Sequence, residues 1–320
     1  MKNELMIQEL KAKTGEKKQG FIKILDTETK MPVTIINGEK EGKTMLITAG
    51  VHGCEYPCIK TAIELAREID PKKVVGQIII VHPVNIQGFV GRNAAIVPED
   101  NKNILRVFPG DKNGTISEKI AYVISNELQA KADFYLDIHG GDVHEDLLPH
   151  IYYPGAADEK IVQASIEMAR CFNVPYYVKS NTTNGTYTSA AIRKSIPSLL
   201  IERGGCGLCK EDDVKAYKND IMNVLSYLNI LEHEIIEKEF EAKEINEAIY
   251  LDALNDGCWT CLVKAGEEIV KGQKLGEVTD YFGNIIDTYY AEFDSVVLYN
   301  TVAFSVTKSS SLIAYGKINN

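Results

Sequence analysis

The chain has 320 residues, 45% of them hydrophobic and 25% charged, which is typical of a globular protein with one large domain and a smaller one. Its 35 Lys and Arg and 45 Asp and Glu residues give a net charge of −10, which disfavours nucleic acid and anionic membranes as partners. The sequence lacks a bilayer-spanning apolar run and the apolar core of a signal peptide, and its seven cysteines are expected to be reduced thiols, so we expect a cytoplasmic protein.

Predicted strands and helices alternate through the first two thirds of the chain. GFIKIL and MPVTIING flank DTETK as an opening hairpin, and the buried strand TMLITAG (44–50) leads into a helix that begins near Pro57. There follow strand QIIIVHPVN (77–85), helix ISEKIAYVISNELQA, strand DFYLDIHGG (133–141), helix DEKIVQASIEMARCF, strand SLLIERGG (198–205) and helix EDDVKAYKNDIMNVLSYLNIL. This order predicts an α/β fold, a mainly parallel mixed sheet with helices on both faces.

The charge-rich stretch 232–247 predicts a domain boundary, with a catalytic domain at 1–235 and a small all-β domain at 236–320. Within the second domain, VKAGEEIVKGQKLGEVTDYFG resembles the hairpins of lipoyl- and biotinyl-type half-barrels. Such carriers display a lysine on a tight turn, whereas this chain has Asp294 and Ser295 there, so a carrier function is disfavoured. We expect this domain to pack against the first, narrow its cleft, or mediate assembly into a homo-oligomer.

Polar side chains follow three of the predicted strands. His52 and Glu55 come after TMLITAGV, His139 ends FYLDIH, and Glu202 ends SLLIE. The carboxyl ends of parallel strands share one edge of a sheet, so these groups can meet in one crevice. Two His and one Glu suit zinc and leave a fourth position for water, while Glu202 is a candidate proton acceptor. A histidine at a strand end is more often a hydrogen-bonded structural residue, and the coincidence of three such ends makes a metal site an equal alternative.

Four motifs in order resemble the succinylglutamate desuccinylase and aspartoacylase family, relatives of the zinc carboxypeptidases. They are GVHGCE, HPVNIQGFVGR with NILRVFPGD, LDIHGGD, and IPSLLIERGG, which cover positions from about 44 to 205. The resemblance implies one zinc per chain, held by His52, Glu55 and His139, and an amide-cleaving hydrolase with Glu202 as general base. It also implies that Arg92 stabilises the oxyanion and that Arg106 binds a carboxylate on a small-molecule substrate.

One position departs from the family pattern. The residue before the second Arg is usually Asn in the family and is Leu105 here, so a neighbouring amide that helps to bind the substrate's carboxylate would be absent. Asn103, two residues earlier, is the remaining candidate for that contact. The acyl group and the amine of the substrate therefore stay open. A metallocarboxypeptidase acting on peptides, and a non-catalytic binding protein that retains the metal, are the alternative functions.

Other metal-binding residue types have simpler interpretations. The pairs Cys206/Cys209 and Cys258/Cys261 are too far apart in sequence for a zinc ribbon. Asp142, His144 and His150 lack a convincing ligand spacing and are expected at the rim of a pocket. Asp137 lies two residues before His139, hence on the same face of its strand, where it could orient the imidazole or form a salt bridge within the sheet.

Overall fold

The computed structural model describes residues 4–318. Its strands are β1 Glu4–Ile7, β2 Leu10–Lys13, β3 Glu16–Lys23, β4 Lys30–Asn37, β5 Lys40–Ala49, β6 Val75–Val81, β7 Phe134–His139, β8 Glu145–Leu147, β9 His150–Pro154, β10 Tyr176–Ser180, β11 Ser198–Glu202, β12 Lys243–Ile245, β13 Ala248–Asp252, β14 Gly257–Cys261, β15 Glu268–Ile269, β16 Lys274–Thr279, β17 Ile285–Tyr290, β18 Ser295–Thr301, β19 Ser305–Val306 and β20 Ser311–Lys317. Its α-helices are α1 Tyr56–Glu68, α2 Ile86–Gly91, α3 Ile116–Val123, α4 Glu159–Ala169, α5 Thr186–Lys194 and α6 Glu211–Tyr227.

A nine-stranded mixed sheet forms the centre of the molecule, in the order β12-β10-β9-β11-β7-β5-β6-β4-β3. Strands β11, β7, β5 and β6 run parallel, as do β12, β10 and β9. Antiparallel pairing joins β9 to β11, β6 to β4, and β4 to β3. The parallel strands β5, β7 and β11 are neighbours, so their carboxyl ends lie side by side at one edge.

Both faces of this sheet are covered. Met45, Ile47 and Ala49 of β5 pack with α1, α4 and α6 in one apolar cluster, whereas Leu46 belongs to a second cluster with α3, α5 and the β1–β2 hairpin. Successive side chains of a strand point to opposite faces, so each β5 residue contributes to one layer or the other. The predicted α/β class with helices on both faces is therefore confirmed.

The C-terminal part, which we define as residues 236–318, is rich in strands and contains no helix. It forms one sheet in the order β13-β20-β18-β15 and another in the order β17-β16-β14-β19. The two parts of the chain also exchange strands: β8 pairs with β18, and β12 pairs with β10 of the large sheet. The proposed boundary at 235/236 stays a prediction, and β12 shows that the chain after it still contributes to the first sheet.

The observed elements differ from the predicted ones at several places, and the sequence did not indicate α2, β8, β9, β10 or α5. The expected helix over ISEKIAYVISNELQA begins as α3 but continues as a π-turn at Ile124–Leu128 and a 3₁₀ turn at Gln129–Lys131. The hairpin of β1 and β2 was not predicted, because these strands are only four residues long and carry mixed charges. Among residues 4–318, none of the helices has the length and apolar character that crossing a lipid bilayer requires.

Candidate metal centre

The turn between β5 and α1 carries His52 and Glu55. Gly50 adopts φ +70°, and a Cβ on Gly53 would lie 2.3 Å from the backbone carbon of Gly88, so this turn can press against α2 only with glycine there. Glu55 occupies the N-cap position of α1, yet its carboxylate makes no capping hydrogen bond. The carboxylate is therefore free to point away from the helix, toward the imidazoles.

His139, the last residue of β7, completes a group of three donors. The Glu55 Oε1 atom lies 2.6 Å from His52 Nδ1, and Glu55 Oε2 lies 3.1 Å from His139 Nδ1. The donor atoms lie within 4.8 Å of one another, the only such set of three or more His, Cys, Asp or Glu residues in the described chain. Glu55 is 2% exposed and His139 is 1% exposed. The structure thus brings together the three predicted metal ligands.

The second nitrogen of each imidazole has its own acceptor. His52 Nε2 lies 3.1 Å from Asn103 Oδ1, and His139 Nε2 lies 3.1 Å from Asp137 Oδ2. An oxygen in this position favours the tautomer with a proton on Nε2, which leaves the Nδ1 lone pair for a metal. The described residues also leave buried Glu55 Oε2 without a hydrogen bond. Two Nδ1 lone pairs and an unsatisfied carboxylate oxygen form a donor set that fits zinc.

Buried hydroxyls hold Asp137 in place behind His139. Thr48 Oγ1 donates to Asp137 Oδ1 at 2.6 Å, Thr186 Oγ1 donates to Asp137 Oδ2, and the Tyr135 hydroxyl lies 2.6 Å from Thr48 Oγ1. Asp137 is fully buried. These hydrogen bonds leave the Asp137 carboxylate little freedom to move. The geometry thus supports a role for Asp137 in orienting the His139 imidazole.

The electrostatics of this group favour an added positive charge. Burial opposes ionisation of Glu55, but His139 and His52 outweigh it and lower the pKa of this carboxyl to about 2. Burial also opposes a charge on His139, yet Glu55 and Asp137 raise the pKa of its imidazole well above the usual value. A divalent ion would supply the same positive charge, and its binding would release the proton from His139.

Asn103 provides a test of how the ligands are oriented. Replacing Asn103 by Ala removes the only acceptor that holds His52 Nε2 among the described residues, so we expect zinc affinity to fall by about 10- to 100-fold. Competition with a chromophoric chelator measures the affinity directly. Asn113→Ala, which removes an exposed amide from the turn before α3, is the matched control. Unchanged affinity in Asn103→Ala would show that the amide does not orient the ligand.

Glu202 ends β11 directly beside the metal ligands. Its register partner on β7 is His139, so both side chains lie on the same face. The Tyr217 hydroxyl of α6 donates to the carbonyl oxygens of His139 and Ile201 and thereby ties the two strand ends together. Burial raises the pKa of the Glu202 carboxyl well above its usual range; His139 opposes this shift, and Glu55 adds to it. A carboxyl beside a metal-bound water is suited to take up a proton and pass it on.

The two arginines predicted to contact substrate have exposed side chains. Arg92 caps the C-terminus of α2 in the left-handed region with φ 53°, and Arg106 ends the 3₁₀ turn Ile104–Arg106. Neither forms an ion pair with any residue between 4 and 318. Their guanidinium groups are therefore free to bind an anion, although the structure does not bring them into contact with the metal ligands.

Asn103 and Leu105 differ from each other in their surroundings. The Asn103 side-chain oxygen accepts the Leu105 backbone N–H at 2.9 Å as well as facing His52. Leu105 is half-buried against the apolar cluster on that face of the sheet. A substrate contact of Asn103 or Leu105 therefore remains a prediction, and the geometry of Asn103 adds a contact with a metal ligand that the sequence did not indicate.

Two further side chains near Glu202, one from the C-terminal part and one from β8, were not indicated by the sequence. Tyr250 of β13 interacts with the hydroxyl of Tyr152, and burial of the Tyr250 hydroxyl raises its pKa, while the charge of Arg106 opposes this shift and that of Glu202 adds to it. The other missed residue is Glu145 of β8, whose charge acts on Glu202. No short motif marks either residue, because Tyr250 comes from β13 of the C-terminal part and Glu145 from β8, which pairs with β18 of that part.

The remaining candidates do not join this group. His150 is fully buried, its Nδ1 lies 2.6 Å from the Leu148 carbonyl oxygen, and burial lowers the pKa of its imidazole to about 4. His150 is thus a neutral structural residue rather than a rim residue. Cys206 and Cys209 are exposed in the loop after β11, whereas Cys258 and Cys261 lie in β14. In the described residues, the two cysteine pairs form no metal cluster.

Comparisons with known proteins agree with this arrangement. The profile of the succinylglutamate desuccinylase/aspartoacylase catalytic domain matches residues 41–228. An N-alpha-acetyl-L-2,4-diaminobutyric acid deacetylase of Halomonas elongata is 26% identical over 296 residues, which are 90% of this chain and 86% of that protein.

Two solved structures share the fold over nearly their whole length. The product-bound ectoine utilization protein EutE (DoeB) of Ruegeria pomeroyi has a TM-score of 0.85 and 25% identity, with 94% of this chain and 95% of that chain covered. A succinylglutamate desuccinylase of a Silicibacter species has a TM-score of 0.83 and 25% identity, with 95% of each chain covered. With its motifs, its donor geometry and the profile match over more than half its length, this chain belongs to the succinylglutamate desuccinylase/aspartoacylase family.

Proposed function

We propose that this protein is a zinc-dependent hydrolase that cleaves the amide bond of a small N-acyl amino acid. The observation that carries the proposal is the convergence of His52, Glu55 and His139 at strand ends, next to Glu202. Three protein ligands leave a zinc position open, which is typical of catalytic rather than structural sites.

In the proposed reaction, the metal, one carboxylate and two arginines have separate roles. Zinc, when bound, polarises the amide carbonyl and lowers the pKa of water. Glu202 takes the proton of the attacking water and returns it to the nitrogen of the leaving amine. Arg92 stabilises the negative charge that develops on the carbonyl oxygen, and Arg106 binds the α-carboxylate of the substrate.

The family and a relative support the choice of substrate class. The Halomonas relative is named for a substrate with an acetylated α-amine and a free amine on its side chain. We therefore take Nα-acetyl-L-2,4-diaminobutyrate as the first substrate to test, with N-acetyl amino acids of acidic and apolar side chain beside it.

A substrate panel tests the proposed function. Protein stripped of metal and reloaded with zinc should release acetate from at least one N-acetyl amino acid, and Glu202→Gln should release far less. Short peptides with free C-termini serve as the comparison, since their preferred cleavage would support a carboxypeptidase. Zinc binding without turnover of any N-acyl amino acid or peptide would contradict the proposal.

Arg106 is expected to act through substrate binding. Its exposed guanidinium has no ion pair in the described chain, and loss of a hydrogen bond to a charged group costs about 1.5–3 kcal/mol. Arg106→Ala should therefore raise KM for carboxylate-bearing substrates by roughly 10- to 100-fold while kcat changes little. Steady-state kinetics measure both constants, with Arg193→Ala, an exposed arginine on α5, as control. An unchanged KM would remove Arg106 from the substrate site.

A further inference from the structure

Glu145 places a carboxylate without a cationic partner at the edge of the metal centre. It is half-buried and begins β8, which pairs with β18 of the C-terminal part. Among residues 4–318, its carboxylate forms no ion pair and no hydrogen bond with another side chain. A partly buried carboxylate usually has such a partner, because removing a charge from water is costly.

Close contacts between two loops fix the position of Glu145. The Gly141 N–H donates to the Gly204 carbonyl oxygen at 2.9 Å, and the Cys206 N–H donates to the Glu145 carbonyl oxygen at 2.8 Å. A Cβ on Gly141 or Gly205 would lie only 2.7 or 2.3 Å from that same oxygen of Glu145. The glycine pairs after His139 and Glu202 therefore let the two loops cross and hold Glu145 over the strand ends.

The C-terminal part holds the same segment from the other side. Thr301 is the register partner of Glu145, and its Oγ1 donates to the His144 carbonyl oxygen at 3.1 Å. The Val302 N–H donates to that oxygen at 2.7 Å. Glu145 is thus anchored by contacts with both parts of the molecule. A residue that discriminates between substrates needs such a fixed position.

Among residues 4–318, Glu145 has no lysine or arginine as an ion-pair partner. Asp142, three residues earlier, accepts the His144 N–H at 2.6 Å within the loop. Burial raises the pKa of the Glu145 carboxyl to about 7, and the charges of Asp142 and Glu55 add to this shift, while the charge of His52 and a hydrogen bond from the Asp142 backbone oppose it. A zinc ion held by His52, Glu55 and His139 would offset the Glu55 charge but provide no partner for Glu145. We therefore infer that the cationic partner of Glu145 belongs to a bound substrate and is small enough to lie near Glu202.

We propose that Glu145 is a specificity-determining residue that binds the side-chain amine of an N-acyl diamino acid. This inference rests on the proposed deacylase function and deepens it, because it identifies the group that would distinguish a diamino substrate from other N-acyl amino acids. An ammonium donates its hydrogen bonds to Glu145 and neutralises the buried charge, whereas an apolar side chain leaves that charge unpaired.

Two substrates of equal size test the inference. Nα-acetyl-L-2,4-diaminobutyrate and Nα-acetyl-L-norvaline have side chains of the same length, and only the first ends in an amine. We expect the parent enzyme to prefer the amine in kcat/KM, and Glu145→Gln to lose about 10- to 100-fold for the amine with a far smaller change for norvaline. Calorimetric binding of the two free amino acids to zinc-loaded protein should show the same loss without turnover.

Asp146→Asn is the matched control, since the neighbouring residue of β8 points to the opposite face. It should leave the preference between the two substrates unchanged. Equal losses for both substrates in Glu145→Gln would assign Glu145 to catalysis or folding, and an unchanged preference would place the amine elsewhere; either result overturns the inference. Both are distinct from failure of the proposed function, in which the parent hydrolyses neither substrate.

Discussion

Replacing Glu202 by Gln is expected to lower kcat by about 10²-fold or more while zinc content and fold are retained. Glutamine has the size and the hydrogen-bonding groups of glutamate but cannot take a proton from water. Because Glu202 is not among the three residues whose donor atoms converge, its replacement leaves the metal ligands intact. The prediction therefore separates proton transfer from metal binding.

The surroundings of Glu202 explain why a large effect is expected. Burial favours the protonated carboxyl, and the opposing influence of His139 keeps the ionised form accessible. Behind it, buried Arg203 pairs with Asp220 at 2.7 Å, and Tyr217 ties the ends of β7 and β11. These contacts fix the strand end that carries Glu202 beside the ligands, and a catalytic group held in position contributes more than one that must be oriented.

The measurement combines kinetics with two checks on the variant. Zinc per chain and thermal unfolding of Glu202→Gln should match the parent, and Glu232→Gln, which changes an exposed glutamate on the protein surface, should keep parental kcat. Activity of Glu202→Gln near the parental level would remove Glu202 from the mechanism, whatever the metal content.

Much of the metal centre could be predicted from sequence because its residues end strands. The runs TMLITA, FYLDIH and SLLIE are apolar and short, so they predict buried parallel strands, and parallel strands bring their carboxyl ends to one edge. Side-chain alternation then places Asp137 on the same face as His139. In the structure, the Asp137 carboxylate lies within hydrogen-bonding distance of the His139 imidazole. These steps need only local pattern and the geometry of a sheet.

The rest of the site depends on contacts that local pattern does not encode. Asn103 is predicted to bind substrate, and the fold of its loop gives its amide a contact with His52 that local pattern does not indicate. Glu145 and Tyr250 arrive through β8 and β13, whose placement depends on how the two parts of the chain pack together. A loop's conformation is set by tertiary contacts, so its residues are the least predictable part of a site that it borders.

Replacing His139 or His52 by Ala is expected to abolish stable zinc binding. Either change removes one of three ligands, and His139→Ala also leaves the buried carboxylates of Glu55 and Asp137 without their shared imidazole. Elemental analysis after dialysis should give one zinc per chain for the parent and far less for the variants. His144→Ala, which removes an exposed imidazole from the loop after β7, should retain the parental content.

Thermal unfolding distinguishes loss of the metal from loss of the fold. A ligand that binds only the folded state stabilises it in proportion to RT ln(1 + [L]/Kd), so added zinc should raise Tm of the parent and of His144→Ala. The same addition should leave Tm of His139→Ala and His52→Ala unchanged, although both variants still unfold cooperatively. Full zinc in both variants would contradict the assignment of the ligands. Two zinc ions per chain in the parent would instead direct attention to the paired cysteines, because their thiolates are the other soft donors that the chain offers.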